Sequence, residues 1–205
     1  MKGLLTTLFV LGVPSFAAAQ QGDAGRFLKT RHDTATQILR RAAGTDAERS
    51  ARHAEVSDLM GSVMDYETIA REALGDHWQT HSPTERQEFV TLLRQLTIRN
   101  YRDQIERTLD YEVRFGAEEQ VGDATVVRTT ARSRQNRRAP AIEIDYRMRR
   151  TGDRWTVLDM VTDGASLVTA YQQQFRPILA RPGGWQTLLD RLRSRLEQPG
   201  AARRP

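Results

Sequence analysis

Near Leu109 the hydrophobic pattern of this 205-residue chain changes period, from 3.6 residues to 2, and that change constrains the fold more than any other feature. Upstream, few Gly or Pro interrupt the chain after Gln20, and helices are expected over Ala24 to Ala43 and Asp46 to Met60, separated by Gly44-Thr45. Asp65 is placed to cap a helix over Tyr66 to Leu74, which Gly75 ends. Ser82-Pro83-Thr84-Glu85 predicts a longer helix: Ser82 caps, Pro83 occupies the first turn where its missing N–H is harmless, and Glu85 closes a capping box. Behind it Phe89, Leu92, Leu93, Leu96, Tyr101 and Ile105 form one apolar stripe at three- and four-residue steps.

Downstream, four strands are expected over Tyr111 to Glu118, Ala124 to Arg132, Ala141 to Arg150 and Arg154 to Val161. Their connections are short, at Gly122-Asp123, an Arg- and Asn-containing loop ending at Pro140, and Thr151-Gly152-Asp153, so the strands form an antiparallel meander. The third alternates most sharply, with Ile142, Ile144, Tyr146 and Met148 on one face and Glu143, Asp145, Arg147 and Arg149 on the other. One face is therefore covered and the other wet. Helices return over Gly164 to Ala180, where Pro177 predicts a kink or an early end, and over Trp185 to Glu197. The expected class is α+β, with helices packed on one face of a curved four-stranded antiparallel sheet. Such a sheet can enclose an apolar cavity, although a filled core has the same sequence pattern.

The ends of the chain read differently. Lys2, the apolar run from Gly3 to Phe16 and Ala17-Ala18-Ala19 have the order of a secretory signal peptide, so residues 1–19 are assigned to it, 20–197 to one domain and 198–205 to a disordered tail. The apolar run falls short of the ~20 residues that span a bilayer. There is no cysteine, which rules out a disulfide, a lipoprotein anchor and a zinc–thiolate site. Net charge is +5 and almost all of the positive charge is Arg, a residue suited to phosphate. With export expected, anionic membrane surfaces or acidic proteins are better partners for this charge than nucleic acid.

Catalytic and metal motifs are weak throughout. His77 and His81 lack the intervening Glu of a zinc-protease helix, and His32 and His53 look like surface residues. Ser166 lacks the second glycine of a nucleophile elbow and is better read as a helix start. Glu118-Glu119 is expected in a turn, and Asp145 lies on the wet face. The covered faces carry only Tyr146, Tyr171 and Asp159 as titratable groups, and Asp159, expected to share a face with Trp155 and Val157, is the one to watch, with a structural hydrogen-bonding role as the plainer reading.

Several ordered motifs carry a resemblance. Asp65-Tyr66-Glu67-Thr68-Ile69-Ala70, Ala73-Leu74-Gly75, His77-Trp78, the helix start Pro83 to Phe89, and Tyr101 resemble the helical half of the MlaC, or toluene-tolerance auxiliary, family. Ile144-Asp145-Tyr146, Trp155 to Asp159, Asp163 to Val168 and Tyr171 to Phe175 continue that pattern. Ala165 in place of valine, Pro177 and the Arg-rich loop from Arg132 to Arg138 depart from it.

The resemblance implies a periplasmic phospholipid carrier, not an enzyme, with bound phospholipid as cargo and no cofactor or metal. The implied partners are an outer-membrane lipoprotein–porin complex and an inner-membrane ABC transporter bearing an MCE-domain protein, a system that maintains outer-membrane lipid asymmetry. Lipid contact is then expected on the covered sheet face, at Ile142, Ile144, Tyr146, Met148, Trp155 and Val157, and on the helix above it, at Leu167, Val168, Tyr171 and Phe175. Arg132, Arg134, Arg137 and Arg138 form a basic hairpin tip that either meets anionic headgroups or an acidic surface, or is simply solvated. Two alternatives stay open: a secreted cone-shaped α+β enzyme or hydrophobic-ligand domain, and an adaptor whose grooves bind protein.

Overall fold

The structure is a computed structural model that describes residues 22–102 and 105–198. The expected signal peptide, and the expected tail beyond Gln198, lie outside these residues. The chain runs α1 (Asp23–Arg40), α2 (Asp46–Gly61), α3 (Tyr66–Leu74), a 3-10 turn (Gly75–Thr80), α4 (Pro83–Arg102) and a second 3-10 turn (Ile105–Asp110). It continues as β1 (Tyr111–Val121), β2 (Ala124–Ser133), β3 (Ile142–Thr151), β4 (Arg154–Thr162), β5 (Ala165–Ser166), α5 (Leu167–Leu179) and α6 (Gly184–Glu197). Among the described residues no helix is long and apolar enough to cross a membrane.

The local signals explain the helix starts. Thr45 Oγ1 accepts from the Glu48 amide while Glu48 accepts from the Thr45 amide, and Ser82 and Glu85 make the same reciprocal pair. Those bonds, led by the Thr45 amide in one case and the Ser82 hydroxyl in the other, hold both glutamates below the usual carboxylate range. Asp65 caps α3 through the Thr68 amide at 2.9 Å, and Gly75 closes that helix at φ 55°, where a side chain would be strained. Pro177 stands in the last turn of α5, which ends two residues later. The apolar stripe of α4 is shorter than its spacing implies, because the helix stops at Arg102 and Ile105 opens a separate 3-10 turn.

The strands pair in the order β1-β2-β3-β4-β5, all antiparallel. The fifth strand corrects the expected count of four. Asp163 and Gly164, at φ 47° and 81°, turn the chain back on β4, so Ala165 and Ser166 pair with its end before the helix begins at Leu167. Bulges interrupt the register between Phe115 and Glu118 on β1 and between Arg147 and Met148 on the β3–β4 ladder; each adds bend and twist. Below its bulge, β4 is flanked by Val63–Asp65: the Val157 amide donates to the Val63 carbonyl at 2.8 Å and the Asp65 amide to the Val157 carbonyl at 2.9 Å.

Three apolar cores result. Under α1, Ala24 and Leu28 meet Val127, Met148 and Val157 on one sheet face. Between α1 and α2, Ala35, Ile38, Leu39 and Val56 close a second core, which Tyr101 flanks. In the third, α3 to α6 pack around Phe89, Leu93, Tyr171 and Phe175. Met64, in the α2–α3 connection, packs against both the sheet core and the helical core.

Candidate functional site

A groove of about 770 Å³ opens where these layers meet, within the ~300–1,000 Å³ range of small-molecule sites. Its walls are the α2–α3 connection, at Gly61, Met64 and Tyr66, and one side of α4, at Val90, Arg94 and Ile98, with Arg154 and Thr156 of β4 at the end. Helix α4 thus presents two faces. Phe89, Leu93 and Leu96 enter the helical core, while Val90, Arg94 and Ile98, at steps of four, face the groove. Gly61 lets this wall close, since a Cβ there would stand 3.0 Å from Ile98 Cδ1 and press on that side chain. Past Ile98 the same side of α4 reaches Tyr101, which approaches Tyr146 of β3.

Burial pushes the Tyr66, Tyr101 and Tyr146 phenols up to about 12, so all three remain neutral. The groove is mixed in character: Met64, Tyr66, Val90 and Ile98 give it an apolar side, and Asp65, Arg94 and Arg154 place charges among polar neighbours along the rest of its wall. Arg154 is positioned by a bond to the Ser62 carbonyl at 2.9 Å. Of the groove residues, Asp65 as a helix cap and Tyr66 in the family motif stand out in the sequence, and the others read as ordinary helix, strand or loop positions. The four-residue spacing of Val90, Arg94 and Ile98 is the one signal that could have found them.

The ten residues expected to contact lipid do not form one cluster. Met148 and Val157 lie inside the sheet core, with Tyr146 and Trp155 packed at its margin. Val168, Tyr171 and Phe175 lie in the helical core, with Leu167 at its margin, because α5 packs on α3 and α6 and meets the sheet at its β4–β5 edge. Ile142 and Ile144 stay half-buried outside both cores.

Asp159 is likewise relocated. The bulge reverses the parity of β4, so Asp159 pairs with Arg147 while Val157 pairs with Met148. It does not share a face with Val157. Its buried carboxylate accepts from Ser166 Oγ at 2.7 Å, the Met160 amide at 2.8 Å and the Val168 amide at 3.1 Å. Ser166 in turn caps α5 through the Thr169 amide at 3.0 Å. This is the hydrogen-bonding role, and it ties the β4–β5 turn to the start of α5.

Other polar residues resolve in the same way. Glu118 and Glu119 lie in β1, not in a turn: Glu118 accepts from the Gly25 amide at 2.6 Å at the start of α1, and Glu119 pairs with Arg128. His32 is half-buried with its ring edge-on to Phe115, so it is not a surface residue. His81 stacks on Trp185 at 3.6 Å. Arg132, Arg134, Arg137 and Arg138 are all exposed, and Arg134 is in addition held to the second 3-10 turn and β1 through the Asp110 and Tyr111 carbonyls. Among the described residues no group of three or more His, Cys, Asp or Glu is placed to hold a metal ion.

Comparison with known proteins agrees with this architecture. A phospholipid-binding protein from Ralstonia solanacearum, solved in complex with a phospholipid, superposes with a TM-score of 0.70 at 23% identity, over 85% of this chain and 97% of that one. At that identity the likeness is one of fold. No curated protein matches the chain. The MlaC protein family matches residues 29–194, from the first turns of α1 to the last turn of α6, and the chain belongs to that family.

Proposed function

We propose that the protein is a phospholipid carrier and that the groove between α4 and the α2–α3 connection receives the acyl chains. The observation that carries this reading is the groove itself, a partly apolar space of about 770 Å³ whose wall also holds Asp65 and two arginines, in a chain whose fold matches that of a phospholipid-bound protein. Two acyl chains hold about 30 methylenes, and at ~0.8 kcal/mol each their exposure to water would cost on the order of 25 kcal/mol. A lipid crossing an aqueous space therefore needs an apolar container. Bilayer and container are both apolar, so most of that term cancels on transfer and direction must come from partners.

Ile142 and Ile144 extend the proposed contact surface beyond Tyr101, because their half-buried apolar area is left outside the closed cores, and Tyr146 adds to it from the margin of the sheet core. Arg94 and Arg154 would meet the phosphodiester. Family membership supports a periplasmic location and exchange with an outer-membrane lipoprotein–porin complex and an inner-membrane MCE-domain ABC transporter. No catalytic step is needed, and Asp159, the one acid proposed for an enzyme reading, is committed to backbone and hydroxyl donors.

The test is native mass spectrometry of protein from a periplasmic extract, followed by solvent extraction. A stoichiometric phospholipid adduct is expected, and it should diminish in the folded variants Ile98→Trp and Ile144→Arg. A clean apo mass that persists after incubation with phospholipid vesicles would refute the carrier reading. An adduct unchanged in both variants would move the lipid elsewhere in the fold.

A further inference from the structure

A second, smaller cavity of about 230 Å³ lies between α1, the second 3-10 turn, β1 and the β2–β3 hairpin loop, and its chemistry differs from that of the groove. Helix α1 sends Lys29, His32, Asp33, Thr36 and Arg40 toward it, a polar stripe at three- and four-residue steps. Three of the cavity's charges, Lys29, Asp33 and Glu112, are already paired. Lys29 pairs with Asp33 at 2.5 Å, and Glu112 pairs with Arg114 at 3.0 Å.

Arg40 and Arg134 are left facing the cavity with no carboxylate partner among the described residues. Arg134 is held in place all the same. Its backbone amide donates to the Asp110 carbonyl at 2.7 Å and its Nε to the Tyr111 carbonyl at 3.2 Å, so its exposed guanidinium is positioned, with Glu112 in electrostatic reach but no carboxylate in a direct ion pair with it. The floor is Phe115, against which His32 packs edge-on at 5.7 Å. Exposed Arg137, whose charge reaches Glu112, adds to the positive field at the rim. Unpaired guanidinium groups over a partly apolar floor suit a compact oxyanion with several acceptor atoms, because the planar fork of Arg matches phosphate oxygens in pairs.

We propose that this cavity is a binding site for a phosphate group, held by Arg40 and Arg134 beside His32. The phosphate is either the headgroup of an anionic lipid at a membrane surface or part of a free phosphoester. The site is separate from the groove, and it stands or falls independently of the carrier reading.

The test uses the full mature chain at low ionic strength in two arms: calorimetric titration with inorganic phosphate, and flotation with phosphatidylcholine vesicles with and without phosphatidic acid. Each arm compares the parent with Arg40→Gln/Arg134→Gln and with Arg176→Gln/Arg181→Gln, a control pair of equal charge change on exposed arginines of α5 and the residues after it. Arg40→Gln alone keeps the test valid if loss of Arg134 disturbs the hairpin.

Binding at least about tenfold weaker in the cavity variants, with the control pair unchanged, is expected in one arm or both. Loss in the phosphate arm identifies a free phosphoester, and loss confined to phosphatidic acid vesicles identifies a headgroup. Equal weakening by the control pair would reduce the effect to net charge and overturn the site, as would the absence of binding in both arms. Phospholipid recovered by extraction should be the same from parent and cavity variants; its loss would instead assign these arginines to the carrier groove and overturn a separate site.

Discussion

Asp159 offers the sharpest test of how the two halves of the molecule are joined. Its carboxylate is 7% exposed and accepts from Ser166 Oγ and from the Met160 and Val168 amides. Asp159→Ala leaves those donors without an acceptor at the junction of sheet and α5. Bonds to a charged acceptor contribute about 1.5–3 kcal/mol each, and three sharing one carboxylate are not additive, so a loss of about 3–5 kcal/mol is expected. At ~2–4 °C per kcal/mol for a chain of this size, the melting temperature should fall by roughly 10 °C. Asp159→Asn keeps the shape and one acceptor oxygen. Because Oδ1 serves both amides and the Ser166 hydroxyl can rotate to accept, that variant should lose only about 1–2 kcal/mol. Thermal and urea unfolding followed by circular dichroism would measure both, and lipid recovery from the folded protein should not change in either. Equal destabilisation by the two substitutions, or an alanine variant that melts with the parent, would refute the reasoning. Loss of function in a fully stable Asp159→Asn protein would reopen a chemical role.

Two further expectations concern the helical core. Phe89 is fully buried, edge-on to Phe175 at 5.6 Å and tilted against Trp185 at 5.7 Å, so Phe89→Ala should cost about 3–5 kcal/mol and Phe89→Leu less, read as a shift in urea midpoint at constant m-value. Burial lowers the pKa of His81 below its ordinary 6.5, with His77 and Arg86 acting in the same direction and Glu85 against it. The unfolded chain therefore takes up this proton more readily, and stability should be complete above about pH 7.5 and decline as pH falls through 6.5. His32, lowered mainly by burial as well, contributes a slope of the same sign. His81→Gln should remove part of the pH dependence and His32→Gln/His81→Gln most of it; a stability profile unchanged by the double variant would contradict this assignment.

What the sequence determined by itself was whatever is settled within about one turn or one strand. The capping pair Ser82–Glu85, the helix break at Gly44-Thr45, the stop at Gly75 and the alternation from Ile142 to Met148 are satisfied by near neighbours, and all were legible before any contact was known. The family pattern was legible too, because it is carried by ordered local motifs. Tertiary structure decided the rest. A one-residue bulge opposite Arg147 and Met148 moved Asp159 to the other face from Val157, and no periodicity announces an inserted residue. Ile144 and Val168 are equally apolar, yet one is left half-buried on the sheet and the other closed into the helical core, a division set by where α5 lies along β4. The polar stripe of α1 and the Val90, Arg94, Ile98 side of α4 read as ordinary helix surface because what distinguishes them lies across the fold: Phe115 and Arg134 for one, Met64 and Arg154 for the other. A cavity is made by residues distant in the chain that approach without touching, and that separation in space has no local pattern to record it.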